Sequence, residues 1–436
     1  MSIRDTSADR DTILIMFRWS LAIIIFLMLS ANSVRILLAE DEDLLSVYVQ
    51  PGDTWTALSI RFGLSISELM AFTGTINPQR QPVIGSSLLL PEMEERHGRL
   101  LRPLAGGLLE TAAQSGRSPW AVALQNDLQN PYTPLLYTTV FLDGGSTPPR
   151  EMPIGFKTLE VSQIPAHPGE ALAVRAQLGS EQEPSVSLER ETWNVSRNED
   201  RLVALGATGA FFGAGQPELL IHAGNSPAWT QPWLFEDNTW TFDQVSFAAT
   251  AATDQEAIRL ERERLQDIWS TITPAVLWST SFQSPLKEYV ARTSLYGARR
   301  SVNGGPYATY HEGIDYSAYR GSPVYAPAAG RVVLAESLTV RGGAVILDHG
   351  LGIHSGYYHL SEIEVKSDQQ VRGGDLIGKV GSTGRSTGNH LHWDLLIDTV
   401  WVDAEAWMEQ DLADWIRSAW GTSSSSLKRS EIPPAR

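Results

Sequence analysis

The chain has 436 residues, 42% of them hydrophobic and 19% charged, with 14 Trp; that excludes a mostly disordered protein and a single small fold, and predicts two to four packed units. The 34 basic and 50 acidic side chains leave −16, which argues against nucleic-acid binding and against docking on anionic lipid, since both need a basic surface. There is no Cys, so disulfides, thiolate metal sites and cysteine nucleophiles are excluded, and any metal must sit on His and carboxylates.

Residues 1–40 read as a targeting segment. Arg18 precedes an apolar run over residues 19–29, followed by Ser30, Ala31, Asn32 and Ser33. That run is short for roughly 30 Å of hydrocarbon, whereas residues 13–38 would span it with Arg18 and Arg35 snorkelling. The segment is therefore a cleaved signal peptide or a retained membrane anchor, and in both cases the rest of the chain lies outside the cytoplasm.

Residues 46–92 form a short, well-punctuated unit. Residues 46–50 suit a strand and Pro51-Gly52 a turn; Asp53 or Thr54 can cap a helix whose Trp55, Leu58 and Phe62 share one face. Ser65 and Glu68 make an S-x-x-E capping box for a second helix carrying Leu69, and residues 88–90 close the unit as a strand. The frame Tyr48…Gly52-Asp53-Thr54…Ile84-x-x-x-Leu88-x-x-Pro91 resembles a LysM module, a resemblance that implies binding of N-acetylglucosamine polymers. Phe72 stands where that family usually has Asn.

A weaker echo of the same order runs through residues 101–145, with Asn126 or Asn130 at the end of its second helix; it reads either as a degenerate second copy or as a helical spacer. From 150 to 248 short alternating runs such as ALAVRAQL, SVSLER and PELLIHAG predict an immunoglobulin-like β-sandwich. Residues 252–272 predict a charged helix serving as a rigid connector with no chemistry of its own. The Ser-rich residues 422–436 predict a disordered tail.

Six of the nine histidines fall between His311 and His392, in a region of glycine-punctuated β runs that predicts an all-β sandwich or partly open barrel over residues 278–410. In HLHWDLLI a period of two puts Leu391, Trp393, Leu395 and Ile397 on one face and His390, His392 and Asp394 on the other. Two adjacent imidazoles suit a metal ligand with a second imidazole, or else a half-exposed polar strand face. In HEGID the even spacing keeps His311 and Asp315 on one side of a strand. One nitrogen and one carboxylate oxygen from this segment, with one nitrogen from the H-x-H strand, make the three-ligand set of catalytic zinc sites.

HEGID, GYYHL and GSTGRSTGNHLHWDL together resemble the lysostaphin/LytM-type zinc endopeptidases of peptidoglycan over residues 285–407. The resemblance implies the duplicated-hybrid-motif (barrel-sandwich-like) fold of that family within a multidomain, mainly β chain. It implies Zn2+ on His311, Asp315 and His392, with His359 and His390 as uncoordinated imidazoles that steer or deprotonate water and stabilise the oxyanion. The expected function is an exported endopeptidase that cuts amide bonds of peptidoglycan cross-links, targeted by the LysM unit. The alternative is a non-catalytic wall-binding activator of another hydrolase.

Other polar residues have plainer readings. His354, five residues before His359, is expected at the surface, pointing away from the site. His349, in a turn, is expected to be a structural hydrogen-bonder. Asp394 either orients a ligand imidazole or is a solvated strand carboxylate. Glu312 is not a zincin-type base, because Asp315 stands where a helical H-E-x-x-H motif needs its second His. The GSTGRSTG run lacks the Lys and helix of a phosphate loop, and no lysine beside residues 326–333 suits a biotinyl or lipoyl carrier. The acidic balance predicts wall recognition through neutral contacts, only weakly dependent on salt.

Overall fold

A computed structural model describes residues 44–101, 107–132, 139–246 and 255–419. The expected targeting segment at 1–40 and tail at 422–436 lie outside the described residues. Among the described residues no helix is long and apolar enough to cross a membrane.

The first unit comprises β1 (Leu44–Tyr48), α1 (Trp55–Phe62), α2 (Ile66–Thr73) and β2 (Ser87–Pro91), with β1 antiparallel to β2. Thr54 caps α1 by accepting from the Ala57 amide at 3.1 Å, and Ser65 and Glu68 form the capping box of α2. Trp55, Leu58, Phe62 and Leu69 are buried with Val47, Leu88 and Leu90, so the apolar faces expected of both helices close one small core. Next come β3 (Gly98–Leu101), α3 (Leu108–Gln114), α4 (Pro119–Gln125) and β4 (Val140–Asp143), in the same order and with β3 antiparallel to β4. The Asn126 side chain joins the end of α4 to β4, donating to the Val122 and Phe141 carbonyls and accepting from the Phe141 amide.

Two four-stranded sheets follow. One contains β5 (Phe156–Val161), β6 (Ala171–Leu178), β9 (Asn194–Asn198) and β10 (Arg201–Ala207) in the order β5-β6-β10-β9. The other contains β7 (Pro184–Leu188), β8 (Glu191–Thr192), β11 (Glu218–Ala223) and β12 (Trp229–Pro232) in the order β12-β11-β7-β8. Their inner faces meet around Leu172, Val174, Leu202, Leu219, Ile221 and Trp233. The first unit is docked on this sandwich: Ile84 bridges to Trp233, and the fully buried Gln231 accepts from the Gly52 amide at 2.9 Å and donates to the Pro82 carbonyl at 2.9 Å.

Two expected boundaries shift. β13 (Phe242–Val245), inside the span assigned to the sandwich, pairs in parallel with β15 (Arg299–Val302), which is antiparallel to β16 (Tyr307–Tyr310). The sandwich thus hands its last strand to the C-terminal unit. α5 (Gln255–Trp269) is no free-standing connector either. Leu265 and Trp269 are fully buried in a cluster with Ile346, Tyr358, Leu396 and Trp401, and the buried Glu261 accepts from the amides of Val340 and Arg341.

The C-terminal unit is built on an open sheet ordered β14-β17-β25-β21-β20-β19-β23, with β26 paired to β25 and no barrel closure. Its strands are β14 (Ala291–Ser294), β17 (Ile314–Ser317), β19 (Gly330–Leu338), β20 (Gly342–Gly350), β21 (Ile353–Leu360), β23 (Gln370–Val371), β25 (His390–Ile397) and β26 (Val400–Val402). A small sheet of β18 (Pro323–Tyr325), β24 (Leu376–Lys379) and β22 (Glu362–Ile363) completes it. Two helices, α6 (Ala404–Glu409) and α7 (Leu412–Ala419), extend the unit past residue 410; Ile416 of α7 shares the main core with Ala173 and Val203 of the sandwich.

Candidate metal centre and catalytic histidines

Central strand β25 carries the alternation expected from its sequence. Leu391, Trp393, Leu395 and Ile397 are buried in the main core, while His390 and His392 lie on the other face with about 15% of each side chain exposed. β25 pairs with β17 so that His392 stands opposite Asp315, and with β21 so that His392 stands opposite Tyr358. Gly313 permits this close pairing: a Cβ there would lie 2.4 Å from the Trp393 carbonyl oxygen and 2.9 Å from His392 Nε2.

Three of the five expected site residues converge on one point. Asp315 Oδ1 lies 2.7 Å from His392 Nδ1 and 3.1 Å from His311 Nε2, and these two nitrogens are 2.9 Å apart. Burial pushes the Asp315 carboxyl up, but His311 and His392 outweigh it and hold it well below the ordinary carboxylate range. Burial also pulls His392 down to about 3, against the opposing pull of Asp315. The donor set is two imidazole nitrogens and one carboxylate oxygen, which fits a three-ligand cation site. The other nitrogen of His311 is occupied: Nδ1 lies 3.1 Å from the Leu295 carbonyl oxygen and 2.8 Å from Ser294 Oγ, so Nε2 is the one that faces Asp315.

His359 and His390 stand beside this group, with ring centroids 4.7 Å apart and that of His359 6.4 Å from His392. His359 Nδ1 donates to the Thr383 carbonyl at 2.7 Å and His390 Nδ1 to the Gly388 carbonyl at 2.9 Å, which leaves Nε2 of each ring as the reactive nitrogen. Both carbonyls belong to the GSTGRSTG loop, whose sequence showed no chemical role. Burial, reinforced by neighbouring His390, lowers His359 to about 4, so it is neutral near pH 7.

Two readings of single residues need correction. His354 is fully buried, and it shares a face with the site: its partner across the sheet is Leu396, on the same side of β25 as His392. His359 reaches that face because its own φ of 62° breaks the strand alternation between the two histidines. Asp394 is neither solvated nor an orienting partner of a site imidazole. It is fully buried, accepts from Trp401 Nε1 at 3.0 Å, and burial raises it to about 7 despite the attraction of Arg341. His349 is the structural hydrogen-bonder expected of it, donating to the Ala329 carbonyl and accepting from Ser355.

The sequence carried no signal for the layer behind the ligands. Ser294, at the end of β14, donates to Asp243 of β13 at 2.5 Å, and Arg300 of β15 reaches both Ser294 Oγ at 3.1 Å and Asp315 Oδ2 at 3.3 Å. These residues lie up to 72 positions apart in the chain and meet only through the parallel pairing of β13 with β15.

His311, Asp315 and His392 thus form a group that could hold a metal ion, with two further imidazoles beside it on an open β-sheet. Residues 309–404 match Peptidase family M23 and residues 47–91 match the LysM domain, so the chain carries an M23 peptidase domain and a LysM domain. Among similar proteins, DD-carboxypeptidase/endopeptidase Mpg of Neisseria meningitidis is 46% identical over 88 residues, 20% of this chain and 20% of that protein. Peptidoglycan DD-endopeptidase ShyA of Vibrio cholerae is 41% identical over 87 residues, again 20% of each. Lysostaphin of Staphylococcus staphylolyticus is 38% identical over 100 residues, 22% of this chain and 20% of that one. The matched region thus spans about one fifth of the length of these relatives. A solved M23 peptidase from Pseudomonas aeruginosa superposes with a TM-score of 0.43 at 26% identity, covering 56% of this chain and 94% of that one.

Proposed function

We propose that the protein is an exported, zinc-dependent endopeptidase that hydrolyses amide bonds in the peptide cross-links of bacterial peptidoglycan, with its LysM unit contacting the N-acetylglucosamine glycan. The observation that supports this best is the convergence of His311, Asp315 and His392 within 3.1 Å of one another, beside two imidazoles whose Nδ1 atoms are tied to main-chain carbonyls. Mpg, a DD-carboxypeptidase/endopeptidase, and ShyA, a peptidoglycan DD-endopeptidase, are enzymes of the same class.

Zinc on the triad would supply Lewis-acid polarisation of the scissile carbonyl and lower the pKa of water. The chain's own residues do the rest. Neutral His359 accepts a proton from the attacking water at Nε2 while Thr383 holds its ring. That proton then passes to the departing amine nitrogen, which leaves as a neutral amine. His390 offers a second Nε2 from the other side, available once protonated to donate to the developing oxyanion.

The test is to measure metal content and the fragments released from purified peptidoglycan. About one zinc per chain and new free amino groups at cross-links are expected, with both lost in the His311→Ala, His392→Ala double variant. Wall cleavage that persists in the metal-free double variant would overturn the proposal.

A further inference from the structure

His359 stands at an irregularity of β21. Gly343 pairs with Leu360 and Val345 with Tyr357, so Tyr358 and His359 together face Ala344 of β20, and His359 takes its φ of 62° within this bulge. Its amide donates outside the ladder, to the Arg341 carbonyl at 2.9 Å, in the turn between β19 and β20. The same turn touches the loop that holds the ring. The Val340 carbonyl accepts from the Arg385 amide at 2.8 Å, and Gly384 packs so close that a Cβ there would lie 2.4 Å from the Val340 carbonyl oxygen. Thr383, whose carbonyl holds His359 Nδ1, is tied by its hydroxyl to the Gly343 amide and to the Leu360 carbonyl, both at 2.8 Å. One short turn, residues 340–342, thus bears on His359 both at its main chain and at its ring.

What fixes this turn comes from outside the matched peptidase region, since α5 ends at Trp269 and the match begins at residue 309. Glu261 Oε2 accepts from the Val340 amide at 2.7 Å, and Oε1 accepts from the Arg341 amide at 3.2 Å and from the Arg341 guanidinium at 3.4 Å. Two successive amides and a cation around one buried carboxylate make a charge-assisted anchor that salt screens little. The Arg341 guanidinium is also faced by Glu312 at 3.7 Å and by buried Asp394, and it lies over the rings of Trp269 and Tyr358. Those groups hold the cation; among the described residues Glu261 is the side chain that holds the two amides. Docking of α5 itself rests on its apolar face, where Leu265 and Trp269 are fully buried. A carboxylate on that face costs desolvation that an apolar side chain would not, so its presence calls for a role beyond seating the helix.

We propose that Glu261 is a positioning residue for His359: its carboxylate sets the 340–342 turn, and the turn fixes the amide of His359 and, through Thr383 and its neighbours, the ring. This rests on the peptidase function proposed above, in which His359 Nε2 accepts the proton of the attacking water. α5, expected to be a connector with no chemistry of its own, then serves catalysis at one remove.

The test uses the full zinc-loaded chain and compares Glu261→Leu, Glu261→Gln and Leu265→Ala with the parent. In Glu261→Leu kcat on a cross-link peptide should fall by about 10- to 100-fold, as a small misplacement of a reacting group does, with KM and zinc content near the parent's. Glu261→Gln, which keeps one acceptor oxygen, should lose less. Leu265→Ala loosens the same helix but keeps the carboxylate; it should lower the melting temperature and leave kcat near the parent's. Independently of activity, amide hydrogen exchange at His359 should speed up by about 10-fold or more in Glu261→Leu, the mark of a local opening, while that at Tyr357 stays at the parent rate. If Glu261→Leu does not fold, Glu261→Gln carries the same comparisons. Parent-like kcat or parent-like exchange at His359 in a folded Glu261 variant, zinc lost in step with activity, or an equal fall of kcat in Leu265→Ala would each overturn this inference alone. A parent chain that cleaves no cross-link would overturn the peptidase function, and the exchange at His359 would then decide by itself whether Glu261 holds that residue.

Discussion

Ser294 Oγ lies 2.8 Å from His311 Nδ1 while its own hydrogen goes to Asp243 Oδ2 at 2.5 Å. The hydroxyl therefore accepts from the imidazole, which fixes the His311 tautomer with its Nε2 lone pair toward Asp315. Asp243 sits on β13, the strand that leaves the sandwich, so the middle of the chain helps to aim the proposed metal ligand His311. Ser294→Ala should weaken zinc affinity by about 10- to 100-fold, as loss of such supporting partners does, while the protein stays folded. Competition with a chromophoric chelator measures it, and an unchanged zinc affinity would rule out the orienting role.

His359 separates proton transfer from metal binding. Its Nδ1 is held by Thr383 and its ring does not belong to the ligand triad. His359→Gln should lower kcat by about 100- to 10,000-fold and leave zinc content near that of the parent. A variant that loses zinc in proportion to activity would place His359 among the ligands instead.

Strand parity and short spacing, both local, were enough to single out the His311–Asp315 and His390–His392 pairs, and the family resemblance chose His392 over His390. His311 to Asp315 and His390 to His392 keep their side chains on one face whatever surrounds them. His359 was assigned by family resemblance, and parity alone misplaces it, because the φ of 62° at that residue reverses the count from His354. The burial of His354 and Asp394 depends on what covers the outer face of β21 and β25. That cover includes α5 and Trp401, whose docking is a long-range event with no local signature. For the same reason Ser294 and Asp243 gave no sign of their part beside Arg300. Each is an ordinary polar residue until the parallel pairing of β13 and β15 brings them together.

The buried His349 should tie stability to pH. Its Nδ1–H donates to the Ala329 carbonyl and its Nε2 accepts from Ser355, so a second proton has no acceptor; burial lowers it to about 4 from an ordinary 6.5. Between these values the unfolded chain binds a proton that the folded chain refuses. The contribution is therefore fully present above about pH 6.5 and is lost as pH falls toward 4, by an amount on the order of 3 kcal/mol. Urea unfolding from pH 7.5 to 4 should show this slope in the parent and a shallower one in His349→Gln. Parallel slopes would show that His349 does not titrate on unfolding.

Gln231 ties the LysM unit to the sandwich through groups that have no access to water. Its side chain satisfies the Gly52 amide and the Pro82 carbonyl, and beside it Thr54 donates to Glu151 at 3.0 Å while Arg150 reaches buried Asp53 at 3.3 Å. Gln231→Leu keeps the volume but strands a buried donor and a buried acceptor, which should cost about 2–4 kcal/mol. The loss falls on the contact between units, not on the core of either one. It should therefore appear as faster amide hydrogen exchange around Gly52 and Ile84 and easier proteolysis between the LysM unit and the sandwich, before any loss of the peptidase fold. If the variant instead unfolds in one step with the parent's exchange pattern, the LysM unit and the sandwich form a single cooperative body held by apolar contacts such as that of Ile84 with Trp233.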